Sequence, residues 1–395
     1  MILNHRDKGE ATVSTINSNI SKTLNGSTPI TVGTDTYQWF DRWLDSLSIY
    51  APSDAPLRTV NLTFSGHTWG ASILRVEGNA NVTINDTSTG TTDDNRVTIE
   101  YIKVGASGTN TIILRNAEVD IIDGNRGAEK ITVGSWAGHV NLGRGDDTVT
   151  VTGVGEVSTM DLGRGNDRLT TTDNAWVGSV YTGRGNDVVS LGAAGAHFIH
   201  MGQDADIVKI SANSQGAVLH GGNGISDDLA GAKDSDTVDF SAFTIGVTID
   251  LNGRRTVEGT HGEFVISNFE NATGGKGKDT FVANDVANIF KGGTAADTFV
   301  FDTKTAAHGD KILDFSQTEK DKIDVSGMDA NSLVSGEQAF TFIGTAAFSD
   351  KAGQLRYQLS SGDTIIQGDI NGDGVRDFSI ILDASVALKV GDFIL

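Results

Sequence analysis

A five-residue signature, G-x-G-x-D, recurs along this 395-residue chain. It stands intact at Gly143–Asp147, Gly163–Asp167, Gly183–Asp187 and Gly275–Asp279, the first three at a step of 20 residues. The composition gives about 0.5 such matches by chance, so the recurrence is a signal. A degraded copy follows at Gly202 (GQDAD, with Asp204 and Asp206), GGNG surrounds Gly222, and GNRGAE at Gly124 is a weaker forerunner. Asp234 and Asp236 (KDSDTVDF) lead to a second block, GGKGKDTFV from Gly274 and GGTAADTFV from Gly292, 18 residues apart.

Glycines at the first and third positions permit backbone angles closed to other residues, so the carbonyls of a tight turn point to one side. The aspartate adds a carboxylate at the same place. Oxygen donors of this kind suit a hard divalent cation with roughly six to eight ligands, and calcium fits better than magnesium, which keeps its waters. Zinc calls for His or Cys, which these loops lack. The candidate metal ligands are therefore Gly143, Gly145, Asp147, Gly163, Gly165, Asp167, Gly183, Gly185, Asp187, Asp204, Asp206, Asp234, Asp236, Gly275, Gly277, Asp279 and Asp297. The plainer alternative is a set of tight turns with polar decoration. A second motif, DINGDGVRD, places Asp369, Asn371, Asp373 and Asp377 at positions 1, 3, 5 and 9 of an EF-hand-like loop, with Gly374 at position 6. Position 12 is Ile380 rather than a bidentate glutamate, and N-G-D-G is ample chemistry for a turn between strands.

Strands must hold these loops. After each aspartate comes a short alternation (Val149 and Val151, Leu169 and Thr171, Val189 and Leu191, Val208 and Ile210), and before each loop an inward column reads Val140, Met160, Val180, Ile199, Leu219. Alternation at period two is a strand with one buried face. A single turn cannot bury its apolar face alone, so stacking supplies the core. Layers about 4.8 Å apart bring Asp147, Asp167, Asp187 and Asp206 to one edge, where they repel without a counter-ion. Residues 36–48 (TYQWFDRWLDSLS) set Tyr37, Phe40, Trp43, Leu44 and Leu47 on one helical face, read as a cap over the open end or a docking helix.

Residues 234–395 resemble RTX (repeats-in-toxin) proteins, specifically the C-terminal β-roll module of serralysin-type secreted metalloproteases and alginate epimerase R-modules. The resemblance runs through GVTIDLN (246–252), ISNFENATGGKGKDTF (266–281), NIFKGGTAADTFVF (288–301), DKILDFSQTEKDKIDVSG (310–327) and QAFTFIGTAAF (338–348). It ends in GDFIL (391–395), similar to the C-terminal export signal of type I (ABC) secretion substrates. The resemblance implies calcium as cofactor, the ABC exporter as partner and an extracellular or cell-surface location. The 20-residue register departs from the family's 18-residue turn, and the second loop of each turn lacks G-x-G-x-D. Calcium is thus expected along one edge between Gly143 and Asp206, with a two-sided arrangement near Gly274–Asp297. Asp310, Asp314, Asp321 and Asp324 match acidic family positions or are solvated turn residues.

The expected fold class is all-β: a parallel β-helix or β-roll solenoid with stacked calcium loops, a short N-terminal helical cap and a C-terminal β-rich secretion domain. Its divisions are 1–59 (cap with amphipathic helix), 60–122 (calcium-free coils), 123–240 (first repeat block), 241–273 (connecting insert), 274–309 (second block) and 310–395 (C-terminal β-rich domain with export signal).

Composition narrows the function. Thirty basic against 51 acidic residues leave a net charge of −21, which repels nucleic acid and anionic membrane. Cysteine is absent, so disulfides and thiolate chemistry are excluded. No apolar run reaches the roughly 18 residues of a membrane helix, and MILNHRDKGEATVST is not a cleavable signal. H-E-x-x-H, G-x-S-x-G and P-loop motifs are all missing. One outward column, Asn141, Asp161, Tyr181, His200, His220, resembles polysaccharide lyase and epimerase sites in general layout, but no Lys or Arg is expected within it. Trp136 and Trp176 fall in the second-side loops, to stack on sugar or cover the coil edge.

The leading expectation is a secreted, non-enzymatic calcium-binding protein that folds on meeting calcium outside the cell. Its role would be structural or adhesive: surface layer, biofilm matrix, or contact with host, glycan or its own copies. A tenfold excess of calcium over Kd adds about 1.4 kcal/mol per site, so about five coupled sites supply about 7 kcal/mol. That is comparable to the whole stability of a domain. The alternatives are a polysaccharide lyase or epimerase on the β-helix, or the export and folding half of a larger secreted enzyme.

Overall fold

Short alternating runs separated by glycine-rich turns leave each strand with one apolar face and too little area to stand alone, and parallel stacking resolves this. The computed structural model describes residues 110–222, 234–253 and 263–395 and, outside them, the strands between Val13 and Val104 and the strand Arg255–Thr256. The chain is all-β, a parallel β-solenoid, and divides into two compact units, Met1–Asp187 and Val188–Leu395.

In the first unit one parallel sheet runs Val13–Thr15, Trp43–Ala51, Gly70–Gly78, Thr98–Val104, Glu118–Asn125, Trp136–Gly143, Glu156–Asp161, Trp176–Arg184. The other runs Ile20–Leu24, Arg58–Phe64, Ala80–Asp86, Asn110–Arg115, Glu129–Val133, Thr148–Val151, Arg168–Thr171. Register pairs Val140 with Met160 and Met160 with Val180, so the apolar column lies layer on layer. Val140, Met160 and Val180 are fully buried, and so are Val149 and Leu169 of the facing sheet.

The expected N-terminal helix is not there. Trp43–Ala51 is a strand paired in parallel with Gly70–Gly78, and Trp39–Phe40 folds back on it antiparallel. The stretch from Leu47 to Ala51 reads as period two (Leu47, Ile49, Ala51 against Ser48, Tyr50), and Ser48, Ile49 and Tyr50 favour a strand over a helix. The apolar spacing from Tyr37 to Leu47 also suits a helix; the neighbouring strand, which offers a ladder, decides between them. Residues 87–95, rich in Thr, Asp and Gly and so read from sequence as a loop, lie outside the described residues.

In the second unit Ile199 pairs with Leu219, and Val189 with Val208. One sheet runs Val188–Leu191, Ile207–Ile210, Thr237–Asp239, Asn271–Thr273, Ile289–Lys291, Lys311–Ile312 and then Phe378–Leu382. A facing sheet runs Thr248–Asp250, Thr280–Val282, Thr298–Val300, Lys322–Asp324 and Phe393–Ile394. The GDFIL terminus is therefore a strand of this unit, with Phe393 7% exposed and the Ile394 carbonyl accepting from the Val325 amide at 3.0 Å. Gln354–Ser360, Asp363–Asp369 and Phe378–Leu382 form an antiparallel meander beside it.

Aromatic residues fill this second core. Phe281 stacks on Phe299 at 5.1 Å and 12°, with Phe290 6.1 Å from Phe299. Phe299 is fully buried. Its replacement by alanine is expected to cost about 3–5 kcal/mol in urea unfolding. Val154→Ala, at a side chain 81% exposed, should stay within about 0.5 kcal/mol.

Candidate metal-binding columns

In every G-x-G-x-D layer of the first unit the aspartate is the last residue before the inner strand. One of its oxygens accepts the backbone N–H one turn earlier. Asp187 Oδ1 takes the Asp167 amide at 2.7 Å, Asp167 Oδ1 takes that of Asp147 at 2.7 Å, and Asp147 Oδ1 takes that of Glu129 at 2.6 Å. Asp147 and Asp167 are each 1% exposed. The carboxylates thus lie within the wall of the coil rather than on an open edge. The second oxygens, Asp147 Oδ2 and Asp167 Oδ2, are buried with no hydrogen-bond donor.

The glycines complete the cradle. Gly143, Gly145, Gly163, Gly165, Gly183 and Gly185 all have positive φ, from 97° at Gly143 to 136° at Gly165. A Cβ on Gly163 would sit 2.2 Å from the Gly143 carbonyl oxygen, and one on Gly165 would sit 1.8 Å from that of Gly145. No side chain fits, and the carbonyls pile up beside the aspartates. The residue between the two glycines is arginine each time, and Arg144, Arg164 and Arg184 follow one another in parallel bridges, the first two exposed. The opposite edge carries tight turns without carboxylate motifs, such as Thr152–Gly155 and Thr172–Ala175, each closed by an N–H···O bond of 2.9–3.0 Å.

The second unit holds two columns. In one, Asp236 Oδ1 accepts the Asp206 amide at 2.9 Å, Glu270 Oε2 that of Asp236 at 2.7 Å, and Asp310 Oδ1 that of Asn288 at 2.9 Å. Asp310 is fully buried and its Oδ2 has no donor. In the facing column Asp279 Oδ1 accepts the Val247 amide at 2.9 Å, Asp297 Oδ1 that of Asp279 at 2.8 Å, and Asp321 Oδ1 that of Asp297 at 2.9 Å. Asp279 Oδ2 also takes the Gly275 amide at 2.6 Å. Cβ atoms on Gly275 and Gly277 would fall 2.3 Å from the Phe243 oxygen and 2.1 Å from the Ile245 carbonyl carbon. Asp314 grips the amides of Gly292 and Gly293 at 2.8 and 3.0 Å.

Of the other sequence candidates, Asp204 and Asp234 flank the first of these columns, where burial and then the charge of Asp234 raise the Glu270 pKa, and the 369–377 loop is a separate one. Asp204, at φ 80°, occupies the loop before Asp206. Asp234 is 8% exposed, its Oδ2 2.9 Å from where a Gly222 Cβ would be. Asp369, Asn371, Asp373 and Asp377 do share one loop. There Asp369 accepts from Gly372 at 2.7 Å and Gly374 at 3.0 Å, Asp377 accepts from Ile370 at 2.8 Å, and Asn371 donates to Asp373 and Asp377 at 3.3 and 3.2 Å. Backbone amides hold this loop as a turn between Asp363–Asp369 and Phe378–Leu382.

Burial dominates the electrostatics. It pushes Asp167 from 3.8 to about 8, opposed by the Asp147 amide and reinforced by the charges of Asp187 and Asp147. Burial likewise raises Asp147 to about 6, Asp297 to about 7 and Asp310 to about 8. Burial, with the Asp147 charge beside it, raises Glu129 from 4.5 to about 8. The columns call for positive charge. Among the described residues no three His, Cys, Asp or Glu side chains gather as a metal centre. Any site here therefore draws on carboxylates of neighbouring layers plus backbone carbonyls. That all-oxygen set, with donor-free buried carboxylate oxygens beside stacked carbonyls, fits calcium and not zinc.

Sequence reading misses Glu270 and Asn288, and it takes Glu129 only as the end of the weak forerunner GNRGAE, not as a ligand. They occupy column positions, but the steps around them are 18, 34 and 22 residues instead of 20, and none is aspartate. Strand register, not motif, reveals them. The outward column also needs correction. Its register runs Lys103, Asp123, Asn141, Asp161, Tyr181, so a lysine does share it. Tyr101 donates its hydroxyl to Asp123, and Asn141 Nδ2 donates to Asp123 at 3.1 Å. In the second unit His200 stacks on His220 at 4.8 Å. Trp136 and Trp176 open strands rather than sit in loops, each paired with Glu156.

The raised carboxylates set a pH dependence. A group whose folded pKa exceeds its unfolded value stabilises fully below the unfolded value and loses that contribution as pH climbs through the folded one. In chelator, the thermal transition should therefore move down, and the ordered fraction shrink, as pH rises from about 4 to about 8, the span between the ordinary and raised values of Asp167. Saturating calcium should flatten the slope. A midpoint that rises over this window in chelator contradicts the assignment.

Comparison with known proteins adds a likeness. "Metallopeptidase AprA" of Pseudomonas marginalis is 34% identical over 184 residues, covering 39% of this chain and 36% of that protein. "Metalloprotease AprA" of Pseudomonas entomophila is 32% identical over 174 residues, covering 37% and 35%. The chain thus spans about a third of the length of these relatives. Residues 228–395 match the family described as Peptidase M10 serralysin C terminal, so it is to this RTX-type β-roll module that the C-terminal part of the chain is similar.

Proposed function

We propose that this chain is a secreted calcium-loaded RTX protein whose stacked loops order the coil once it meets extracellular calcium, in a structural or adhesive role. The observation that carries the reading is the pair of buried, donor-free oxygens Asp147 Oδ2 and Asp167 Oδ2 beside piled glycine carbonyls. A buried charge without a partner is costly, and a cation between layers removes that cost for both neighbours. Calcium binds only the folded loops, so it shifts the folding equilibrium by mass action. The similarity to the serralysin C-terminal family supports calcium, type I export and an extracellular location. In a calcium-poor cytosol the same acidic columns hold the chain open for export. The 21 excess acidic charges add repulsion until cations arrive.

Circular dichroism titrated with calcium from chelator tests this. The expected result is a cooperative gain of β signal, with Asp167→Asn moving the midpoint to at least tenfold higher calcium. Full β structure in chelator at pH 7.5 refutes it.

The register of Lys103 with Asp123, Asn141, Asp161 and Tyr181 favours a second reading, action on an acidic polysaccharide along the outer face. Burial raises the pKa of Asp161, as a proton-transferring carboxyl needs. Unsaturated-uronate and reducing-end assays decide it: activity lost in Asp161→Asn supports catalysis, and no turnover by the intact protein excludes it for the substrates assayed.

A further inference from the structure

Glu129 lies outside every G-x-G-x-D match, yet it repeats the geometry of that motif. Glu129 pairs with Asp147 across the column, one layer before the first intact loop, because Lys130 stands opposite Thr148. Its amide donates to Asp147 Oδ1 at 2.6 Å, the same bond that Asp147 makes to Asp167 at 2.7 Å. The loop before it supplies matching carbonyls. The Arg144 amide donates to Asn125 O at 2.8 Å, as the Arg164 amide donates to Gly143 O at 2.9 Å. A Cβ on Gly143 would fall 2.5 Å from Asn125 O, and one on Gly145 would fall 2.0 Å from Gly127 O. Those are the counterparts of the 2.2 and 1.8 Å approaches one layer further on.

A second observation is independent of loop geometry. Glu129 is 1% exposed, and its Oε2, like Asp147 Oδ2 in the next layer, is buried without a hydrogen-bond donor. Its other oxygen, Oε1, receives the Asn125 Nδ2 at 3.3 Å. A glutamate at the end of the column has one more methylene than the aspartates, and no layer before it demands that its carboxylate cap an amide in their manner. Asn110, which pairs with Glu129 in the preceding layer, brings an amide in place of a charge. The column of carboxylates therefore starts at Glu129.

We propose that the cation column begins one turn before the recognisable motif, at a calcium site between the 124–129 and 143–147 loops. Glu129 and Asp147 provide its carboxylates, and the Asn125 and Gly127 carbonyls take the part played elsewhere by glycine carbonyls. The proposal rests on the calcium reading of the column. The site closes the N-terminal end of the stack with a full charge, where the next layer offers only asparagine.

Native mass spectrometry of the full chain, counting bound calcium, tests it, with Glu129→Gln, Glu129→Asp and Asp167→Asn compared with the parent. Glu129→Gln should bind one ion fewer than the parent at unchanged circular dichroism, and Glu129→Asp should restore the full number. An unchanged count in Glu129→Gln, while Asp167→Asn loses ions, overturns this site and leaves the column reading standing. A parent that binds no calcium overturns both. Anomalous diffraction from parent crystals grown with terbium gives a readout independent of variant folding. A peak between the two loops supports the site, and peaks confined to later layers overturn it.

Discussion

One hydrogen bond organises the molecule: a carboxylate oxygen accepting a backbone N–H from the turn before it. Asp147, Asp167 and Asp187 make it in the first unit, and Asp236, Asp297 and Asp321 make it in the second. The bond draws an acidic side chain into the wall of a thin coil, where side chains of this kind rarely go unpaired. It satisfies one oxygen and strands the other. Both the stability of the layers and their appetite for cations follow from that asymmetry. The apolar columns, Val140 over Met160 over Val180 and the phenylalanines around Phe299, fill the interior but do not by themselves neutralise the edge.

The two units use this bond differently. The first has one acidic edge and one edge of plain tight turns, so it is chemically lopsided. The second has columns on both edges, Asp206 to Asp310 and Asp279 to Asp321, and the serralysin C-terminal match covers most of it. The most regular repeats, Gly143 to Asp187, lie outside residues 228–395. They are a feature of this chain beside the family module rather than within it.

Legibility in the sequence followed step length. Where the step is 20, glycine and aspartate recur in phase, and the inward column from Val140 to Val180 and the strands around it can be read directly. Where insertions stretch the step to 30 and 34, at Asp236 and Glu270, phase is lost and only hydrogen-bonded register restores it. Residue type hid others: Glu129 and Asn288 occupy acidic-column places without being aspartate. The N-terminal aromatic run reads as a helix in the sequence because apolar spacing in a short stretch serves both periods, and a neighbouring strand decides. Lys103 escaped notice in the outward column because its layer has no motif to anchor the count.

The layer-to-layer bond also has a direction. Each aspartate reaches back toward the N-terminus, so the amide of Asp147 waits on Asp167, and that of Asp167 on Asp187. In the second unit the facing column of carboxylates ends where the Asp321 amide turns to its own Ser316 carbonyl at 3.1 Å, so that amide needs no carboxylate from a later turn. Within each unit a turn is therefore finished only by the one after it, as a zipper closes from a fixed stop. Nearest-neighbour coupling of this sort lets order spread from a finished end toward the beginning of the chain.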